Sequence, residues 1–254
     1  MEARVRNKFK QQGLGVIREM LSRKGTHVHL LGVCGVGVAG LALILKERGH
    51  KVSGCDVSPN LSVASLEGRG ITVETGHSPS HIDSDIKWVI RSAAVPLECP
   101  ELVYAAELGL PVFLRGEVLA ALVSEHQSVA VGGTHGKTTT SSMIARILKE
   151  AGRKVSWCIG GESEGMGVSE YQNDGVMVVE ADESDGTISL YKPDIAVITN
   201  VEFDHMEHFE NVEAFEECFR TFARNARQSV IFCADDPRAR KIIAESGKRK
   251  AERC

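Results

Sequence analysis

The stretch GGTHGKTT, residues 132–139, puts glycines, a lysine and hydroxyl side chains where a phosphate chain could be held. Backbone N–H groups of a glycine-rich turn wrap phosphate oxygens. The Lys137 ammonium neutralises the outer ones, and the Thr138 hydroxyl can reach a Mg²⁺ ion. The strict G-x-x-x-x-G-K spacing wants glycine at 131, where the chain has Val131; glycines at 132 and 133 take that part. Gly133, Thr134, His135, Gly136, Lys137, Thr138 and Thr139 are the candidate phosphate-binding residues. A second run, GVCGVGVAG at 32–40, fits G-x-G-x-x-G at Gly35, Gly37 and Gly40. Gly37 lets a pyrophosphate approach the backbone at a helix N-terminus. Asp56 lies about twenty residues on, where an acid commonly meets a ribose hydroxyl. This loop asks for a nucleotide diphosphate and does not separate NAD from a UDP-sugar.

Carboxylates and histidines follow at strand ends. VVEADESD carries Glu180, Asp182, Glu183 and Asp185. Ligands of parallel sheets bind beyond the carboxyl ends of the strands, and a carboxylate there can hold Mg²⁺ beside a P-loop threonine. Glu180, closest to the apolar run, is the expected ligand; part of the remaining acid is expected to be a solvated turn. TNVEFDHMEHF carries Asp204, His205 and His208. His205 comes just after a strand and is the expected metal-site histidine, whereas His208 reads as structural.

These groups need strands that end together. HVHLLGV (27–33), KVSGCD (51–56), KWVIRS (87–92) and PVFL (111–114) read as strands, separated by helix-like segments at 38–49 and 101–109. The alternation argues for a parallel sheet covered on both faces. The pattern restarts after the helix-like 116–126: strands at 128–133, 154–160, 176–182, 194–200 and 229–234, helices at 137–151, around 211–226 and from 236, and a polar loop at 161–175. The expected fold is α/β, a Rossmann-like parallel-sheet domain followed by a P-loop ATPase α/β domain. The expected bounds are a basic N-terminal helix at 1–25, the Rossmann-like domain at 26–123 and the P-loop domain at 124–254.

Bulk composition agrees with a globular chain. Of 254 residues, 43% are hydrophobic and 25% charged, which allows a sizeable core. No apolar run reaches bilayer length and the basic start lacks a signal-peptide core, so a cytoplasmic protein without membrane association is expected. The seven cysteines are scattered with no C-x-x-C pair, which gives no zinc spacing and reads as reduced thiols. Residues 1–24 and 238–254 each carry seven basic against two acidic side chains, although net charge is −4. Solvated faces explain them, since the aromatic–basic interleaving of a nucleic-acid binder is missing. Oligomeric state is not legible.

The stretches HLLGVCGVGVAGLA, VSGCDVSPN, SAAV, GGTHGKTTT, EADESD and TNVEFDHM, in this order between about residues 27 and 237, resemble the Mur ligases. The resemblance implies a first domain that holds the UDP part of UDP-N-acetylmuramate through Gly35, Val36, Gly37, Asp56 and Ser92, and a second domain that binds ATP through 133–139. It implies that the γ-phosphate passes to the lactyl carboxylate, and that the amine of L-alanine displaces it from the acyl phosphate. Lys137 and His205 then serve the chemistry, and Thr138, Glu180 and His205 hold Mg²⁺. His135 is expected to face the muramate end. EADESD, without a tyrosine after the glutamate, tilts the reading to L-alanine rather than a recycled tripeptide as the amine. Family members are longer and carry a further C-terminal domain. Against that pattern the central domain is expected to be incomplete, the ligase domain absent, and the chain unable to ligate alanine by itself. The alternatives are a non-catalytic nucleotide or UDP-sugar module, an NAD-dependent oxidoreductase and a generic P-loop ATPase. Hydride transfer needs neither a P-loop nor EADESD.

Overall fold

The computed structural model describes residues 13–161, 165–203, 209–248 and 250–254. Its first element, helix α1 (Leu14–Ser22), buries Ile17 and Leu21, one turn apart on the same face. Residues 1–12 of the expected N-terminal helix lie outside the described residues, and the helix ends at Ser22, short of the expected bound at 25. The chain divides into two compact units after Val118.

The first unit is built on β1 (His27–Leu31), β2 (Lys51–Asp56), β3 (Thr72–Thr75), β4 (Ile86–Arg91) and β5 (Val112–Leu114). All pairings are parallel, in the order β3-β2-β1-β4-β5. Every residue of β1 is buried, as a central strand covered on both faces requires. Helices α2 (Val36–Glu47), α3 (Ser62–Gly68) and α4 (Pro100–Glu107) connect the strands. The order reverses at β1, so the loop after β1 opens between the carboxyl ends of β2 and β4, the crevice where such sheets take ligands.

Helix α5 (Arg115–Glu125) contains the division, and the expected domain boundary at residue 124 lies at its far end. The second unit has β6 (Ser128–Gly132), β7 (Val155–Cys158), β8 (Ser169–Glu170), β9 (Val176–Glu180), β10 (Ile195–Ile198), β11 (Ser229–Phe232) and β12 (Ala251–Arg253). Their order is β12-β11-β10-β6-β9-β7-β8, and only the short edge strand β8 runs antiparallel. Helices α6 (Lys137–Glu150), α7 (Val212–Asn225) and α8 (Pro237–Ser246) flank it. Helix α7 shows why such segments fold as helices: Asn211 caps it by accepting the Ala214 N–H at 2.9 Å, and Phe215, Phe219 and Phe222 form one buried stripe. None of the described helices is long and apolar enough to cross a membrane.

Candidate active site

The second glycine loop leaves β6 between β9 and β10, so three strand ends converge on it. Register sets the meeting: Val131 pairs with Glu180, and Gly132 with Ile198. Beyond Ile198 the chain clamps the loop. His135 N–H donates to Asn200 Oδ1 at 2.9 Å, and Asn200 Nδ2 returns a bond to the His135 carbonyl at 3.1 Å. Thr199 Oγ1 donates to the same carbonyl at 2.7 Å, and Thr134 Oγ1 accepts the Glu202 N–H at 2.9 Å. Gly133, at φ +133°, fits against this clamp: a Cβ there would run into Thr199 Oγ1 and lie 2.9 Å from the Asn200 carbonyl oxygen. Gly136, at φ +79°, turns the chain into α6, whose first N–H groups face the loop end with the favourable sign of the helix dipole.

Lys137 Nζ reaches back to the Gly133 carbonyl at 2.6 Å and meets Glu183 at 3.0 Å. Glu183 is buried, and burial pushes its carboxyl above the ordinary range although Lys137 offsets part of the cost. Thr138 Oγ1 donates to Glu180 Oε2 at 2.9 Å, and that oxygen also accepts the Gly160 N–H at 2.9 Å. The four acids of 180–185 therefore divide by task. Glu180 and Glu183 turn to the loop; Asp182 accepts the Ser184 N–H and Asp185 binds Thr187 N–H and Oγ1, holding their own turn. The His135 side chain is exposed, with Nε2 3.7 Å from Glu202 Oε2, and Thr139 is exposed on α6. Asp204, His205 and His208 lie outside the described residues. Hard oxygen donors of Thr138 and Glu180 side by side, next to a lysine, suit a magnesium–phosphate group.

In the first unit, Gly32 N–H and Val33 N–H both donate to the Cys55 carbonyl, which folds the loop over the end of β2. Asp56 accepts the Cys34 N–H through Oδ2 and the Ser58 N–H through Oδ1, each at 2.9 Å. Spacing assigned Asp56 to a ribose; what the structure displays is a carboxylate that shapes the glycine loop. Ser92 packs on the other side: its N–H donates to the Leu31 carbonyl at 3.0 Å, and its Oγ accepts the Ala94 N–H at 3.2 Å. Gly35 N–H closes on the Gly32 carbonyl at 3.1 Å, and Val36 is half exposed at the start of α2. Arg115 covers Gly37 so closely that a Cβ there would lie 3.1 Å from its Nη1.

Sequence reasoning missed Arg115, Glu183 and Asn200. Asn200 stood in a quoted strand end and Glu183 in a quoted acidic run, but only sheet order shows which acid faces the lysine. Nothing near Arg115 in the sequence points to a loop nearly eighty residues earlier.

Two parallel-sheet units with glycine loops at their switch points, the second carrying the lysine and threonine of a phosphate loop, define an α/β chain of the P-loop class. Residues 27–127 match the model for the Mur ligase family, catalytic domain, and residues 131–253 that for the Mur ligase middle domain. The chain belongs to the Mur ligase family. It is 42% identical over 231 residues to the UDP-N-acetylmuramate–L-alanine ligase of Carboxydothermus hydrogenoformans, covering 90% of this chain and 50% of that protein. The corresponding ligase of Mycolicibacterium vanbaalenii is 42% identical over 222 residues, covering 85% and 46%. The crystal structure of UDP-N-acetylmuramate-alanine ligase from Thermotoga maritima superposes with a TM-score of 0.79 at 28% identity, over 85% of this chain and 51% of that one. The UDP-N-acetylmuramate:L-alanyl-γ-D-glutamyl-meso-diaminopimelate ligase of Neisseria meningitides gives a TM-score of 0.82 at 28% identity, over 90% and 78%. The chain spans about half the length of the curated relatives it matches.

Proposed function

We propose that this chain carries the sugar-nucleotide and ATP-binding parts of an ATP-dependent acid–amino acid ligase that joins L-alanine to UDP-N-acetylmuramate in the cytoplasm, for peptidoglycan synthesis. The observation that carries the reading is the convergence of Lys137, Thr138 and Glu180 at the carboxyl ends of β6 and β9. Residues 124–254 form the ATP domain in this reading, with 133–139 around the phosphates. Residues 26–123 form the UDP-sugar domain, with Gly35, Val36, Gly37, Asp56 and Ser92 along its loop.

Thr138 and Glu180 would hold Mg²⁺, with His205 as a further ligand, and the ion would supply positive charge to the phosphates. Lys137 does the same from the protein. It lets two anions, the γ-phosphate and the lactyl carboxylate, approach within bonding distance. The amine of L-alanine then takes the acyl carbon and phosphate leaves. Asn200 and Thr199 keep the loop in one shape before nucleotide arrives, so that its N–H groups need no reorganisation.

The fit to the Neisseria ligase favours a second reading, in which the amine is that of a peptide on the same sugar nucleotide. Both readings require the same first ligand. Isothermal titration of the chain with UDP-N-acetylmuramate and, separately, with Mg-ATP is the test. Saturable binding of both is expected. Binding of Mg-ATP alone would remove the sugar-nucleotide assignment and leave an ATPase; enhanced NADH fluorescence on titration would point to a dinucleotide in the first loop instead.

A further inference from the structure

Against the sheet of the first unit lies a group of side chains that the ligase reading does not use. Glu101, on the first turn of α4, is fully buried. His29 Nε2 from β1 lies 2.8 Å from its Oε1, and His81 Nδ1 lies 3.4 Å from the same oxygen. Cys55 Sγ from β2 lies 3.0 Å from its Oε2, and His77 Nδ1 3.2 Å. No lysine or arginine pairs with this carboxylate among the described residues; imidazoles and a thiol surround it. A buried carboxylate without a permanent countercharge is costly. His29 Nε2, His81 Nδ1 and Glu101 Oε1 are also buried without completing a hydrogen bond, despite their proximity.

We propose that this cluster is a binding site for a zinc-class divalent transition metal, held by His29, Cys55 and Glu101. These three offer one nitrogen, one sulfur and one oxygen within 4.8 Å of one another, all from buried side chains. Such a mixed set selects zinc over magnesium or calcium, which take oxygen. Thiolate and carboxylate together neutralise the ion's two charges, leaving a neutral centre in the core. Orientation is supplied as metal-bound imidazoles need it: the other nitrogen of His29, Nδ1, lies 2.9 Å from Ser53 Oγ. A tetrahedral zinc keeps such donors about 3.3–3.7 Å apart, so loading spreads the present contacts by a few tenths of an ångström. His81 Nδ1, 3.4 Å from Glu101 Oε1, and His77 Nδ1, 3.2 Å from Cys55 Sγ, are the neighbouring donors that could complete the set.

The site has a way in. A cavity of about 510 Å³ is lined by His27, His29, Ser53, Glu74, His81 and Asp83, so two of the cluster's imidazoles form part of its wall. On binding, the Cys55 thiol exchanges its proton for the metal and the proton passes to solvent. C-x-x-C spacing gave no hint of this, because the ligands come from two strands and a helix.

The test uses the full chain stripped with a chelator and titrated with Co²⁺ in excess Mg²⁺. One equivalent should produce the visible bands of tetrahedral cobalt and a thiolate-to-cobalt charge-transfer band, both abolished by Zn²⁺. Cys55→Ser should remove the charge-transfer band and weaken cobalt binding at least tenfold. A folded wild-type chain without tetrahedral bands, or a Cys55→Ser protein that keeps the charge-transfer band, would overturn the site. X-ray absorption of the zinc-loaded wild type decides even if the variant fails to fold: one sulfur beside nitrogen and oxygen supports it, and a shell without sulfur refutes it.

Discussion

Lys137 holds two jobs that mutation can separate. Its ammonium faces the place expected for phosphate, and it is also the countercharge of the buried Glu183, 3.0 Å away. Removing one partner of a buried pair costs about 3–5 kcal/mol, because the other charge is stranded. Lys137→Ala should therefore lower stability and weaken Mg-ATP binding together. The lost charge-assisted contacts are worth about 1.5–3 kcal/mol, or roughly ten- to more than a hundredfold in Kd. Adding Glu183→Gln removes the stranded charge. The double variant should regain most of the lost melting temperature and none of the nucleotide affinity. If titration calorimetry found binding restored as well, Lys137 would be a prop for the loop and not a phosphate ligand.

At the scale of elements, the loop between β6 and α6 depends on β10 as much as on its own glycines. Gly133 and Gly136 both have positive φ, yet their surroundings differ: a Cβ at 136 meets nothing within 4 Å, whereas one at 133 collides with the clamp at Thr199 and Asn200. Gly136→Ala should cost about 1–2 kcal/mol, the left-handed backbone penalty alone. Gly133→Ala should cost at least about 3 kcal/mol, since steric displacement adds to strain. Urea denaturation of the two variants compares them, and equal losses would mean that the clamp yields easily. The same contrast shows what a sequence exposes. The buried parallel strands were readable because their Val, Ile and Leu runs announce themselves. Edge strands β3 (TVET) and β12 (AER) were not, since polar side chains suit an exposed edge as well as a loop. The candidate loops were readable from glycine spacing, and the pairing of Thr138 with Glu180 from strand ends. The clamp by Asn200, the cover by Arg115 and the choice of Glu183 depend on strand order, which spacing along one chain does not encode.

At the scale of the whole molecule, the two units should answer acid differently. In the first, burial and the nearby Arg48 charge push the His50 imidazole below its ordinary value of 6.5. The unfolded chain then binds more protons as pH falls through 6.5, so this unit loses stability from that point downward. In the second, burial works against ionised Glu216, but Lys241 and Arg220 outweigh it and hold the carboxyl below its ordinary 4.5. That stability is present above 4.5 and is lost only on further acidification. Glu183 has the opposite sign: its carboxyl is raised, so acid relieves a buried charge there. The first unit should therefore loosen at a higher pH than the second. Each unit contains one of the chain's two tryptophans, and both are buried. Trp88 stands edge-on to His50, ring centroids 5.8 Å apart. Trp157→Phe leaves Trp88 to report the first unit, and Trp88→Phe leaves Trp157 to report the second. In metal-free buffer, Trp88 emission should begin to change below about pH 6.5, well before Trp157 emission does. His50→Gln should move the first transition to lower pH. Coincident transitions, or a Trp157 change that comes first, would show that buried His50 does not set the acid limit of this chain.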